Sequence, residues 1–595
     1  MRIKPWIFAG AALAVALPAL AQQVAQTQPQ TTPGPAATPP PTTNTVQSNS
    51  AAASSQPAVV RGNVSDSSAG DESAVEEVSD LSLPPPAPTV EYPGWARRDS
   101  RAVGQLDPQQ LGLGDNPWGS ASGVYLSSLM RSMDTPLASR WVHIALRDAL
   151  LAKAAAPVQV NPVDWVAERS WLLLRMGEAD AARMLVAGVD TTEFTPKMVQ
   201  VAVQSALANG DAPALCPLED GISKYDVNIR ALVQAMCASL AGEPSTAAAQ
   251  IDDARRHGRI GGIDLALAEK VVGAAGSGRA TTIEWEPVEN LTAWRFGLAT
   301  ATGMVPPERL LNEASPQLRA FQARSPFLTP QQRLSSALIA TGLGVFSSQS
   351  LMDLYSAMYD STDPDELSTT DAWQLRQAFV GKDVDTRMAA IRRLLAIGKD
   401  GYQKEAARAL TARAATLIEP DAKLAKDAPE LISAMLAAGY DQAVARWSNA
   451  SAKMDDADSD RCWAMIALAA PDVANVGASR LNAFIRRDTS EGKQRSALLV
   501  AGLAGLGRIN TDTANSLNRR FGLGLSRQSS WTRMIDAAAG RGQAGTVLVM
   551  TGTGFQTPRF GQLPAVHMYH AITSLKRTGQ DFTARMIAAE ALSRT

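Results

Sequence analysis

Six times this sequence places a capping residue directly before a proline: Thr135-Pro136, Asn161-Pro162, Thr195-Pro196, Ser315-Pro316, Thr329-Pro330 and Asp363-Pro364. A Ser, Thr, Asn or Asp oxygen satisfies an orphan N–H in the first turn of a helix. Proline at the first helical position gives up a donor that had no partner there. Thr329 with Gln332, Asp363 with Glu366 and Asp427 with Glu430 also have capping-box spacing. A sheet protein has no use for such a series, so the sequence predicts an all-α fold. Helical faces follow the starts. Leu431, Met435 and Ala438 share one stripe with Ile432 and Leu436 beside them, and Met388, Ile391 and Leu395 form another. Only Thr281–Trp285 and Thr546–Met550 read as short strand candidates, and the second reads equally as a buried helix.

The turns repeat as well. Gly177 precedes Ala181, Ala182 and Leu185. Gly242 precedes Ala247 and Ala248, Gly439 precedes Ala443 and Trp447, and Gly579 precedes Ala584 and Ile587. Glycine supplies the left-handed conformation that ends a helix, and small residues let the next helix cross closely. Over most of residues 120–595 this resembles the helical-hairpin unit of tetratricopeptide-like α-solenoids. The glycine spacing is irregular, and the full Trp, Gly-Tyr and Pro pattern of the roughly 34-residue repeat is absent. The resemblance implies a degenerate, solenoid-like array of about 24–28 helices and carries over no functional residue. A polar, acidic stretch from Ser361 to Asp371 divides the body into lobes 94–360 and 361–595, which lean on each other.

The first ninety-odd residues are a different material. Residues 1–21 read as a signal peptide: Arg2 and Lys4, an apolar run from Trp6 to Leu20, and Ala19-Leu20-Ala21 as the cleavage site. That run is too short for a comfortable membrane span of ~20 residues. Residues 22–93 hold twelve prolines, seven acids, one base and one aromatic. Such a chain cannot bury enough apolar surface to offset its ordering entropy, so a disordered linker is expected, as tether or as solubilising tail. The signal peptide and linker direct the chain to the periplasm, or alternatively to the medium, with no transmembrane segment in the mature protein.

A net charge of −2 argues against nucleic acid as partner. Ser490-Glu491-Gly492-Lys493 matches the S-x-x-K spacing of penicillin-binding enzymes but lacks their S-D-N and K-T-G partners; a polar turn explains it better. Gly119-Ser120-Ala121-Ser122-Gly123 has Ala at the nucleophile position of G-x-S-x-G. Gly502, Gly505 and Gly507 look like a fragment of a phosphate loop, but no strand precedes them and a glycine-bearing helix end explains them better. His567 and His570 lie three apart on a helix, with Asp581 the nearest acid downstream; zinc needs three or four protein ligands. His143 stands alone, and His257 sits in a basic helix end, Arg255-Arg256-His257-Gly258-Arg259. Trp141, Trp165, Trp294, Trp373, Trp463 and Trp531 recur near helix starts, as wedges between helices or as rings of a binding groove. A periplasmic helical superhelix also resembles the non-catalytic arm of soluble lytic transglycosylases. The Glu-Ser motif of their catalytic domain is missing, and Glu590 is the last acid.

No catalytic residue, cofactor or metal ligand is therefore assigned. One covalent feature is. An exported chain meets an oxidising compartment, and Cys216 and Cys237 should form a disulfide while Cys462, inside an apolar helix, stays reduced. The expected function is that of an exported scaffold that binds a protein or peptide partner of the bacterial envelope. No single polar side chain should be indispensable to it, His567, His570 and Glu590 included. The alternative is an envelope enzyme acting on peptidoglycan through an unrecognised carboxylate.

Overall fold

The computed structural model describes residues 98–595, except 225–226, 258–259, 276–280, 400 and 474–475. The expected signal peptide and linker lie outside the described residues. Those residues belong to one compact unit, Val90–Thr595. They are helical throughout. No strand forms among them, and only two isolated bridges join extended residues, Leu106 with Ala152 and Ser122 with Val158. Thr546–Met550 lies within a buried helix, Ala544–Gly554.

Five of the six cap-proline pairs open helices. Asn161, Thr195, Ser315, Thr329 and Asp363 each accept a backbone N–H with proline at the first turn. Thr329 and Gln332 form a complete capping box. Thr135-Pro136 is the exception: it is a cis peptide in the approach to a helix that starts at Arg140 under the cap of Ser139. Asp427 does not cap with its side chain either, because its carboxylate is taken by a forked contact with Arg392, at 2.8 and 2.7 Å. Gly177, Gly242, Gly439 and Gly579 all adopt positive φ, between 79° and 94°, at the expected turns.

Nine helices position the site. They are α1 (Arg140–Leu151), α2 (Pro330–Leu343), α3 (Gly401–Thr416), α4 (Ala428–Ala437), α5 (Asp456–Ala469), α6 (Gln494–Gly505), α7 (Ala544–Gly554), α8 (Ala565–Arg577) and α9 (Asp581–Ser593). Many helices pack against their neighbours in sequence. The contacts also close a circuit that sequence order alone does not make: α1 against α2, then α3, α4, α5, α6, α8 and α7, and α7 back against α1. Inside it runs α9, which touches α1, α4, α5, α6 and α8. Its nine successive residues Ala584–Leu592 are all buried. A surface helix exposes one side; α9 is enclosed on every side. A stack in which each unit touches only its neighbours does not account for the contacts of α1 with α7 and α9.

Close approach around α9 depends on small residues. A Cβ at Gly505 of α6 would meet Ile572 of α8 at 2.9 Å, and one at Gly502 would meet Leu468 at 3.0 Å. These glycines are packing surfaces inside a helix, not the phosphate loop their spacing suggested. Buried arginines finish the helix ends. Arg140 donates to Thr341 O of α2 and Ala437 O of α4, Arg508 to Ala467 O and Ala470 O at the end of α5, and Arg169 to Leu150 O, Ala152 O and Val103 O. A guanidinium satisfies several orphan carbonyls at once and complements the negative end of the helix dipole. Burial pushes the Arg169 and Arg508 guanidinium groups down to about 10.

Candidate functional site: a cation-lined cavity at the end of the central helix

The last turn of α9 opens into a cavity of about 940 Å³. Volumes up to roughly 1,000 Å³ are usual for ligand sites. The sequence folds toward it from five directions: α3 supplies Lys404, Glu405 and Arg408, α4 supplies Glu430 and Ser433, and α5 supplies Arg461 and Met465. Arg495 comes from α6, and the loop Thr557–Phe560 brings Arg559. Met465, Phe484, Phe560 and Leu592 are buried and make its apolar floor. Lys404, Arg461 and Arg559 are exposed at its rim.

Arg408 organises the interior. Only 2% exposed, it donates to Glu405 Oε1 at 2.8 Å and makes a forked contact with both oxygens of Glu430, at 3.1 and 2.9 Å. It also reaches Ser593 O at 3.3 Å. Burial alone would raise the Glu430 carboxyl, but the Arg408 guanidinium overrides it and holds the group below the usual carboxylate range. Arg594 donates to Ala138 O at 2.6 Å and to Glu590 at 2.8 Å, and lies over the ring of Phe560. Arg495 donates through Nη2 to Thr595 O, while its buried Nε has no partner.

Glu590 is not in the cavity. It lies one turn back inside α9, 5% exposed, and accepts from Ser139 Oγ at 2.6 Å, Arg140 N–H at 2.9 Å, Trp141 N–H at 3.3 Å and Arg594. The last acid of the sequence thus fastens the central helix to the start of α1. It is a structural residue, and its neutral replacement is not expected to be silent.

The other sequence candidates do not converge. His567 bonds Gly554 O at 2.9 Å and stacks on Trp531, whereas His570 is buried against Asp536 at 2.9 Å. Asp581 pairs with Arg585. His143 meets Glu178 at 3.0 Å in the interior, and exposed His257 turns back onto Asp253. Ser490 bonds Asp488, while Lys493 Nζ donates to Ile485 O, so the S-x-x-K pair does not meet. Ser120 accepts from Gln543 beside a helix start. Trp165 is buried edge-on to Trp118, Trp294 donates to Asp264 O, Trp531 donates to Met550 O and Trp373 stacks on Tyr359. Trp141 stands edge-on to Phe582, and Trp463 lies between Phe484 and Arg480. These rings join helices to one another. Cys216 and Cys237 are joined in a disulfide, Cα–Cα 5.6 Å, between a 3₁₀ turn and the helix Val227–Leu240. Cys462 is free and buried in α5, its thiol pushed up to about 12 by burial.

Sequence reasoning missed the cavity because its members come from positions 136 to 595 with no local motif. One signal was present. Residues 476–580 hold fourteen Lys and Arg against four Asp and Glu in a chain whose net charge is −2. Among the described residues no helix is long and apolar enough to cross a membrane. No protein family, curated protein or solved structure matches the chain.

Proposed function

We propose that this chain is an exported binding protein of the bacterial cell envelope, a helical array closed around its own final helix, which takes a peptide segment of a partner at the cavity. The observation that carries the reading is the cavity itself: it has the volume of a ligand site, an apolar floor and a polar rim, the anatomy of a binding pocket. Export is supported by the N-terminal pattern and by the Cys216–Cys237 disulfide, which suits an oxidising compartment. The peptidoglycan-enzyme alternative needs a carboxyl protonated at neutral pH to act as general acid. The two carboxylates that line the cavity are both held by Arg408, with Glu430 below its ordinary range, which favours binding over hydrolysis.

The test is in the cell. A photo-crosslinking residue at position 404, on the rim, should give a defined adduct from intact envelopes; the same probe at position 256, which does not line the cavity, should not. Suppose instead that Glu405→Gln or Glu430→Gln leaves the protein folded yet reproduces a full deletion, with peptidoglycan fragments altered. The enzyme reading then replaces this one.

A further inference from the structure

We propose that the cavity is an anion site and that its ligand is an acidic peptide, held through two or more carboxylates. The proposal rests on the binding-protein reading and adds the chemistry of the partner.

Among the described residues six cationic side chains line the cavity against two side-chain carboxylates. Both carboxylates are consumed by one of the six, Arg408. Other cations keep unspent donors. Lys404 Nζ and the Arg559 guanidinium have no hydrogen bond or ion pair among the described residues, and Arg461 has only one long contact, 3.5 Å to Glu430. The exposed donors of Lys404, Arg461 and Arg559 are open to a ligand carboxylate, which would take charge-assisted bonds from them. Among the described residues the cations of the cavity therefore outnumber the carboxylates that face them. The basic stretch 476–580 contributes Arg495 and Arg559, with Phe484 and Phe560, to the walls.

Two features select a peptide over a bare oxyanion. The free donors sit on separate elements, α3, α5 and the loop Thr557–Phe560, whereas a phosphate or sulfate concentrates its charge at one point and calls for donors that converge. The floor between them is apolar and aromatic. A chain that alternates acidic and apolar side chains meets both demands: carboxylates at the rim, apolar groups on Phe484, Phe560 and Met465.

The experiment uses the full-length protein immobilised at low salt and an equimolar random hexapeptide library. Retained peptides are identified by mass spectrometry. The acidic content of the retained fraction should exceed that of the input severalfold, and the selection should fade with added salt. Lys404→Glu/Arg559→Glu, both rim changes on exposed side chains, should remove it with an unchanged circular dichroism spectrum. Retention of the acidic peptides by the double variant overturns the proposal. So does a library retained without acidic preference, or displacement of the acidic peptides by inorganic phosphate at equal concentration, which would make the site a phosphate site. If position 404 still captures a partner in the cell while the library shows no acidic selection, the anion chemistry fails and the binding-protein reading stands.

Discussion

Glu590→Ala should destabilise the whole helical body. Glu590 is 5% exposed, Ser139 0% and Arg140 5%, so its bonds are made away from water. The carboxylate receives three short hydrogen bonds, from Ser139 Oγ at 2.6 Å, Arg140 N–H at 2.9 Å and Arg594 Nη1 at 2.8 Å. Alanine leaves these donors unsatisfied and the buried Arg140 guanidinium without its nearest negative charge. Charge-assisted bonds contribute about 1.5–3 kcal/mol each, and breaking a buried charge pair by removing one partner costs about 3–5 kcal/mol. The three bonds share one acceptor and are not additive, so about 3–5 kcal/mol is the expected loss. Glu590→Gln keeps an acceptor for Ser139 and Arg140 while losing the charge, and should cost about 2 kcal/mol less than alanine. Guanidinium unfolding followed by tryptophan fluorescence reads this, since Trp141 adjoins the site; the midpoint should fall by roughly half a molar or less, because the slope grows with the surface so large a unit exposes. Ser139→Ala, which also removes the α1 cap, should couple with Glu590→Ala in a double-mutant cycle. If both Glu590 variants unfold at the wild-type midpoint, α9 is not fastened to α1 in the way argued.

Unreduced peptide mapping should show Cys216 linked to Cys237, and Cys216→Ser/Cys237→Ser should lose roughly 3 kcal/mol for a 20-residue loop; an alkylated Cys216 in the unreduced protein contradicts this. In the native protein Cys462 should resist iodoacetamide, because it is buried and its thiol is pushed up to about 12. Acid should unfold the body only below the ordinary carboxylate range. Glu430, Asp460 and Asp488 are all held low despite burial, by Arg408, by Arg487 and Arg480, and by the Ser496 and Ser490 hydroxyls respectively. Their contribution is present above the unfolded pKa and is lost as pH falls through the depressed folded values. Glu430→Gln should therefore flatten the acid limb of the stability curve measured by circular dichroism. Arg169→Met should lower the guanidinium midpoint by strandings of Val103 O, Leu150 O and Ala152 O, about 2–4 kcal/mol in all; an unchanged midpoint would show that water replaces the side chain.

Local rules in this chain are written locally and can be read that way. Asn161, Thr195, Ser315 and Thr329 announce helix starts because the cap and the N–H it satisfies lie within three residues. Gly177 and Gly439 announce turns for the same reason. Thr135-Pro136 shows the limit, since the same dipeptide serves a loop when the next residues, Leu137 and Ala138, are needed at the cavity wall. The circuit of helices around α9 leaves no local trace. Asp581–Ser593 reads as one more amphipathic helix, and its Arg585 and Glu590 look like surface charges until Asp441, Asp581, Ser139 and Arg140 are brought to them. The cavity is harder still. Lys404, Arg461, Arg495 and Arg559 stand dozens of residues apart, and only the local surplus of arginine hinted that their side was special.

The helix that α1, α4, α5, α6 and α8 close upon follows all five of them along the chain. A polypeptide delivered from its N-terminus outward cannot complete its interior while Asp581–Ser593 is still missing; α1, α4, α5, α6 and α8 would each keep an uncovered apolar side until then. Assembly of this unit is thus bound to synthesis of Asp581–Ser593. Products that stop before Asp581 should stay open to proteases, so the fold itself exposes copies lacking this helix to removal.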